Sequence, residues 1–267
     1  MSNPMIIMAA PNGARRQKAD HPLIPLSIPE IVRVAEEVNE AGCSMLHLHI
    51  RDHKGLHSLD PDIYNEALKA IRVILKDHLI LQVTTEAVGQ YSKDEQVAVI
   101  KSLKPEAVSL ALRELCPDDA DEKDFAELNR WMQKENVFPQ YILYDENDYQ
   151  RFIGMRNRGL LARANPFVLF VIGRHQNDQQ DQCLYEQAKK TDLPWTMCGF
   201  GAREQKIVGF AAEHSGHVRV GFENNIMHSA AVPLEDHQFM ILKAQEAAQK
   251  SGRTLATADT IRKLFSL

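Results

Sequence analysis

Two histidines one residue apart, His47 and His49 in MLHLHIRD (residues 45–52), stand in an otherwise apolar run. In an extended strand they point one way while Leu46, Leu48 and Ile50 point the other. Two neutral imidazoles on one strand face suit a divalent cation, each offering a ring nitrogen at about 2.0–2.1 Å from zinc. A catalytic zinc takes a third protein ligand and keeps one position for water or substrate. Glu223, in HVRVGFENN (217–225), is the best-placed carboxylate. Burying a carboxylate with two imidazoles is unfavourable unless something neutralises them together, and a shared cation does so. A plainer reading stays open: two buried histidines, each with an ordinary hydrogen bond, and Glu223 in a salt bridge to Arg219 or Arg51.

The elements that must position these residues alternate along the chain. Short apolar stretches at 5–12, 45–52, 79–86, 106–114, 137–145, 166–174, 194–201 and 217–225 read as strands. Amphipathic stretches between them read as helices by their 3.6-residue spacing. SIPEIVRVAEEVNEAG carries a Ser27 cap, Pro29 in its first turn and a Gly42 stop. Eight such pairs predict an α/β fold, a (β/α)8 TIM barrel formed as a single domain over residues 1–267, with a short extra helix in the C-terminal SGRTLATADTIRKLFSL. An open doubly wound sheet is the alternative. Alternation puts Ala107, Ser109, Ala111 and Arg113 inside the barrel, with Val108, Leu110 and Leu112 outside. Gln82, Thr84 and Glu86 also face in, as do His217, Arg219, Gly221 and Glu223. Polar groups near the C-terminal ends of barrel strands lie where such folds build their sites.

The composition narrows the function classes. Of 267 residues, 44% are hydrophobic and 25% charged, the balance of an ordinary globular protein. A net charge of -5 gives no reason to expect nucleic-acid or membrane-surface partners. Cys43, Cys116, Cys183 and Cys198 form no C-x-x-C pair and read as reduced thiols. No apolar run approaches the roughly 20 residues that span a bilayer, and the first residues do not resemble a signal peptide. A cytoplasmic location is expected.

The stretches APNGARR, HLHIRD, TTEAVG, PEAVSLALRE and HVRVGFENN, in this order, resemble the β-keto acid cleavage enzymes. The resemblance spans nearly the whole chain and is most specific at H-x-H-x-R-D and R-V-G-x-E. It implies a TIM barrel with one zinc per subunit on His47, His49 and Glu223. It also implies acetyl-CoA as co-substrate: a β-keto acid and acetyl-CoA give acetoacetate and a new acyl-CoA. Homo-oligomers, tetramers or dimers, are implied as well. Arg219 matches the arginine working beside the metal. Thr84 and Ser109 match hydroxyl positions suited to the substrate carboxylate, and Asn12 joins them as a substrate contact. Each hydroxyl is equally suited to bonding its own backbone.

Two positions depart from the family's best-described member. Asn224 stands where that member has the aspartate credited with base catalysis, and an amide takes no proton at neutral pH. Glu86 is then the candidate base, with a salt-bridged loop residue as its plainer reading. Arg15 stands where a glutamate faces the substrate's ammonium group, and this reversal favours an anionic or polar substrate. Arg16 and Lys18 are either solvated loop charges or contacts for CoA phosphates. Two other readings compete. One is a metal-dependent barrel hydrolase, for which His175 is the partial match. The other is a non-catalytic zinc- or ligand-binding relative, motivated by Asn224.

Overall fold

The computed structural model describes residues 3–161, 163, 165–174 and 177–267. Its eight parallel strands are β1 (Ile7–Ala9), β2 (Met45–Leu48), β3 (Ile80–Thr84), β4 (Ala107–Ala111), β5 (Phe138–Leu143), β6 (Phe167–Ile172), β7 (Trp195–Gly199) and β8 (His217–Val220). They close into a barrel in which β1 pairs with both β2 and β8. That closure excludes the open sheet and brings two strands 170 residues apart to either side of β1. The main helices are α1 (Ile28–Glu40), α2 (Pro61–Leu75), α3 (Lys93–Leu103), α4 (Glu122–Lys134), α5 (Glu146–Asn157), α6 (Asp178–Lys190), α7 (Arg203–Glu213), α8 (Phe239–Lys250) and α9 (Ala258–Phe265). No helix among the described residues is long and apolar enough to cross a membrane.

The helices start where local chemistry demands. Ser27 and Glu30 form a capping box on α1, and Ser92 and Glu95 form one on α3. Asp60 caps α2, and Pro61 takes the first helical position. The sheet's outer face packs under the helices through one large apolar cluster that includes Leu46, Leu48, Val108, Leu110, Val218 and Val220.

The barrel interior is layered. At the bottom, Ile6, Met8, Met45, Ile80, Ala107, Phe138 and Phe167 meet Ile261 of α9. Phe265 closes this end, its ring 4.6 Å from that of Phe138 and 4.9 Å from that of Phe167. The C-terminal helix expected from the sequence is therefore the plug of the barrel floor. Above it lies a polar layer in place of the usual branched aliphatics. Gln82 donates to Gln140 (3.2 Å), which donates to Thr196 (3.2 Å), while His47 meets the free oxygen of Gln82.

Two expectations need correction. The run 45–52 is not one strand: β2 ends at Leu48, and Ile50–Arg51 leaves the barrel to pair antiparallel with His57–Ser58. Arg113 does not point into the barrel. It lies on a short helix, Leu112–Leu115, and pairs with Asp145 (2.7 Å) and Asp148 (2.8 Å). Strand alternation fails there because the chain turns helical at Leu112.

Two buried histidines, His217 and His237, are held neutral. His217 accepts the Ile6 N–H (3.0 Å) and His237 donates to the Leu23 carbonyl (3.0 Å). Burial pushes their pKa values down to about 3 and about 4. The unfolded chain, titrating near pH 6.5, then binds protons that the native state refuses. Stability present above pH 6.5 is lost as pH falls toward 4, by up to about 1.4 kcal/mol per pH unit for each ring. Urea denaturation across that range measures it, and His217→Gln should flatten the slope.

Candidate metal centre and active-site cavity

His47 sits within β2, and His49 is the first residue past its end. The Asn12 amide donates to the His49 carbonyl (2.9 Å) and to that of Pro25 (3.0 Å), tying the strand break to the loop after β1. Gln82 gives its N–H to Gln140, so its oxygen faces His47 Nδ1 at 2.8 Å and must accept. That hydrogen bond places the His47 proton on Nδ1 and leaves Nε2 a lone pair aimed upward. Desolvation, reinforced by the Arg219 charge, pushes the His47 pKa down to about 3.

Glu223 lies not on β8 but in the turn that follows it. Gly221 adopts φ +134°, and a Cβ there would meet the Ala10 carbonyl oxygen at 2.6 Å. Its N–H donates to the buried Glu204 carboxyl (2.8 Å), whose pKa burial raises to about 8. The Glu223 N–H bonds the Ala10 carbonyl, and Arg16 reaches the carbonyls of Glu223 (3.3 Å) and Asn224 (3.4 Å). Gly13, in the loop after β1, is where the Glu223 side chain passes. At φ +63°, a Cβ on residue 13 would stand 2.5 Å from Glu223 Cγ.

The three side chains converge. His47 Nε2 and His49 Nε2 are 3.1 Å apart, and each is 3.4 Å from Glu223 Oε2. In a tetrahedral site with ligands about 2.0–2.1 Å from the metal, neighbouring ligand atoms stand about 3.3 Å apart. Glu223 Oε2 is buried and accepts no hydrogen bond among the described residues. Its other oxygen accepts from Arg219 (3.0 Å). Despite desolvation, the Arg219 charge and the two histidines hold the Glu223 carboxyl well below the usual range, while the carboxylate raises the pKa of Arg219. An ionised carboxylate, a neutral imidazole and an unfilled acceptor oxygen fit a divalent cation. These three residues are the group that could hold a metal among the described residues.

Beside them opens a small cavity lined by His47, Glu223, Arg219, Thr84, Ser109, Glu86, Arg174, Tyr144, Ile142, Ala111, Val171 and Phe200. Glu86 extends one carboxylate oxygen to 4.0 Å from His49 Nε2 and the other to 3.4 Å from Arg174. The Thr84 hydroxyl accepts the Glu86 N–H (3.1 Å) and stands 3.5 Å from that of Ser109. Arg219 also reaches Cys198 Sγ at 3.5 Å.

Of the expected site residues, His47, Glu223, Arg219, Glu86, Thr84 and Ser109 line this cavity, and His49 completes the triad. Asn12 and Asn224 are buried away from it, the former braced against His49 and the latter beside Cys198. Arg15 is exposed outside the lining, near enough to Glu114 to lower that carboxyl's raised pKa. Lys18 pairs with Glu30 (2.6 Å) on the surface. His175 lies outside the described residues. Arg174, Tyr144 and Phe200 were not anticipated, although each stands at the C-terminal end of an apolar run read as a strand, the position from which a barrel places side chains at its mouth.

The family model described as beta-keto acid cleavage enzyme matches residues 4–267. The chain is 27% identical to a 3-keto-5-aminohexanoate cleavage enzyme of Fusobacterium nucleatum, covering 100% of this chain and 99% of that one. It is 24% identical to a 3-oxoadipate:acetyl-CoA acetyltransferase of Cupriavidus necator, covering 100% and 96%. Among solved structures, a complex of ObcA with a C4-CoA adduct and oxalate superposes with a TM-score of 0.72 at 16% identity, covering 92% of this chain and 68% of that one.

The cavity geometry carries a direct test. Gly13→Ala forces Glu223 off its position and should lower zinc affinity by about 10- to 100-fold, the range for groups that orient metal ligands. His47→Ala should abolish stoichiometric binding. Calorimetric zinc titration measures both, and unchanged affinity in His47→Ala would sink the triad.

Proposed function

This chain belongs to the β-keto acid cleavage enzyme family, and from that premise we propose a zinc-dependent acyltransferase that converts a β-keto acid and acetyl-CoA into acetoacetate and a new acyl-CoA. The observation that carries this reading is the His47–His49–Glu223 triangle beside a cavity holding a cationic and an anionic side chain, Arg219 and Glu86. When bound, the cation supplies Lewis-acid polarisation of the keto oxygen and stabilises negative charge there.

The chain's own residues do the rest. Thr84 and Ser109 hold the substrate carboxylate. Glu86, 4.0 Å from His49 and paired with Arg174 at 3.4 Å, takes a proton from the carbon between keto and carboxylate groups. That carbon attacks the acetyl carbonyl of acetyl-CoA, and the C–S bond breaks to release CoA thiolate. The thiolate adds to the original keto carbon, whose bond to the nucleophilic carbon then breaks, giving the acyl-CoA. Glu86 returns its proton to the remaining carbanion, which is acetoacetate. Arg219 holds the oxyanion charge that develops in both additions.

Asn224 keeps the neighbourhood of Arg219 free of a second carboxylate, so the base role passes to Glu86. Arg15, exposed and outside the cavity lining, adds a positive charge that favours an anionic or polar substrate over a cationic one. Assembly as a homo-oligomer is part of this reading. Acetoacetate formation from a panel of β-keto acids with acetyl-CoA tests it: turnover should vanish on chelation and return with zinc. Glu86→Gln should lower kcat by about 10²- to 10⁴-fold, the contribution of a positioned base. Zinc binding without turnover would instead favour the non-catalytic relative, and CoA-independent ester or amide cleavage the hydrolase.

A further inference from the structure

Resting on that reading, we propose that Arg174 sets substrate choice by binding a second carboxylate at the far end of a short β-keto acid. Arg174 follows β6 through Gly173, whose backbone is anchored from two sides. The Gly173 N–H donates to Asp181 (2.8 Å), and Arg203 crosses where a Cβ would stand 2.5 Å from its Cδ. Arg203 is itself held by Asp178 (2.6 Å) and Asp181 (2.8 Å). The turn is thus a built feature that aims the guanidinium into the cavity.

The guanidinium lies over the Phe200 ring, 5.0 Å from its centroid, and makes one long hydrogen bond, 3.4 Å to Glu86, among the described residues. Of five N–H donors in a planar fork, most are left for an incoming carboxylate, which accepts two in parallel. Part of the cavity wall is apolar, formed by Ile142, Val171 and Phe200, and suits methylene groups. A single carboxylate, that of Glu86, spans from His49 to Arg174. The tail that bridges the same gap is therefore only a few carbons long.

Charge balance points the same way. Glu86 and Glu223 cancel Arg174 and Arg219, so a bound divalent cation leaves two positive charges in the cavity. A monocarboxylic β-keto acid compensates one of them, a dicarboxylic one both. A cationic tail would meet Arg174 directly.

The experiment compares binding of 3-hydroxyadipate and 3-hydroxyhexanoate, stable six-carbon analogues that differ in the distal carboxylate, to the zinc-loaded protein without acetyl-CoA. Calorimetry should show the dicarboxylate bound about 10- to 100-fold more tightly, the range for a charge-assisted pair. Arg174→Gln should erase that ratio and Arg174→Lys restore part of it, with thermal unfolding checking the fold of both. A ratio near one in the unaltered protein, or an unchanged ratio in Arg174→Gln, overturns the assignment. Parallel acetoacetate assays with 3-oxoadipate and 3-oxohexanoate separate the two levels. Dicarboxylate preference in binding with no turnover of either acid would fail the proposed reaction and leave Arg174 standing. Turnover of both without preference would do the reverse.

Discussion

Two imidazole nitrogens and a carboxylate oxygen held 3.1–3.4 Å apart in a desolvated site crowd their polar atoms around one point. In low dielectric such an arrangement is repulsive and leaves an acceptor without a donor, unless positive charge sits among them. The rest of the upper barrel can be read as what it takes to hold that arrangement. Gln82 fixes the His47 proton on the far nitrogen, Arg219 neutralises the second Glu223 oxygen, and burial keeps His47 neutral.

Holding three side chains at one point needs three backbones held first. The ladder holds His47 within β2, but His49 lies past the end of β2 and Glu223 past the end of β8. The loop after β1 braces both. Its Asn12 amide clamps the His49 carbonyl, its Gly13 makes room for the Glu223 side chain, and its Arg16 bonds the Glu223 and Asn224 carbonyls. Behind the turn, Glu204 receives the Gly221 N–H. The loop that the sequence suggested for substrate contact therefore serves, at Asn12, to position a ligand.

The cavity divides into a charged half and an apolar half. Near the triad, Arg219, Glu86 and the Thr84 and Ser109 hydroxyls offer the groups an enolate-forming reaction needs. The cavity lining also includes Ile142, Val171 and Phe200, suited to a carbon chain, with Arg174 over the Phe200 ring. On the proposed reading, reaction chemistry and substrate choice rest on different strands of the same barrel, which lets one vary while the other stays.

Much of this was legible in the sequence. Strand and helix periodicities, the Ser27 cap and the two-residue spacing of His47 and His49 are local properties, set by side-chain direction and backbone propensity. They marked eight strands, the inward face of β2 and the triad itself. Alternation misplaced Arg113 because it cannot see a strand give way to a helix, and it ran β2 through a break that only the pairing of Arg51 with His57 reveals. Which loop residues enter the cavity was likewise closed to it. Arg15 and Arg174 are both arginines in loops, and only barrel closure exposes the first and points the second inward. The periodic pattern determined the elements and their faces because those depend on neighbours within a few residues. The meeting of β2 with β8 across β1, and hence the shared site, was decided by contacts between residues far apart in the chain.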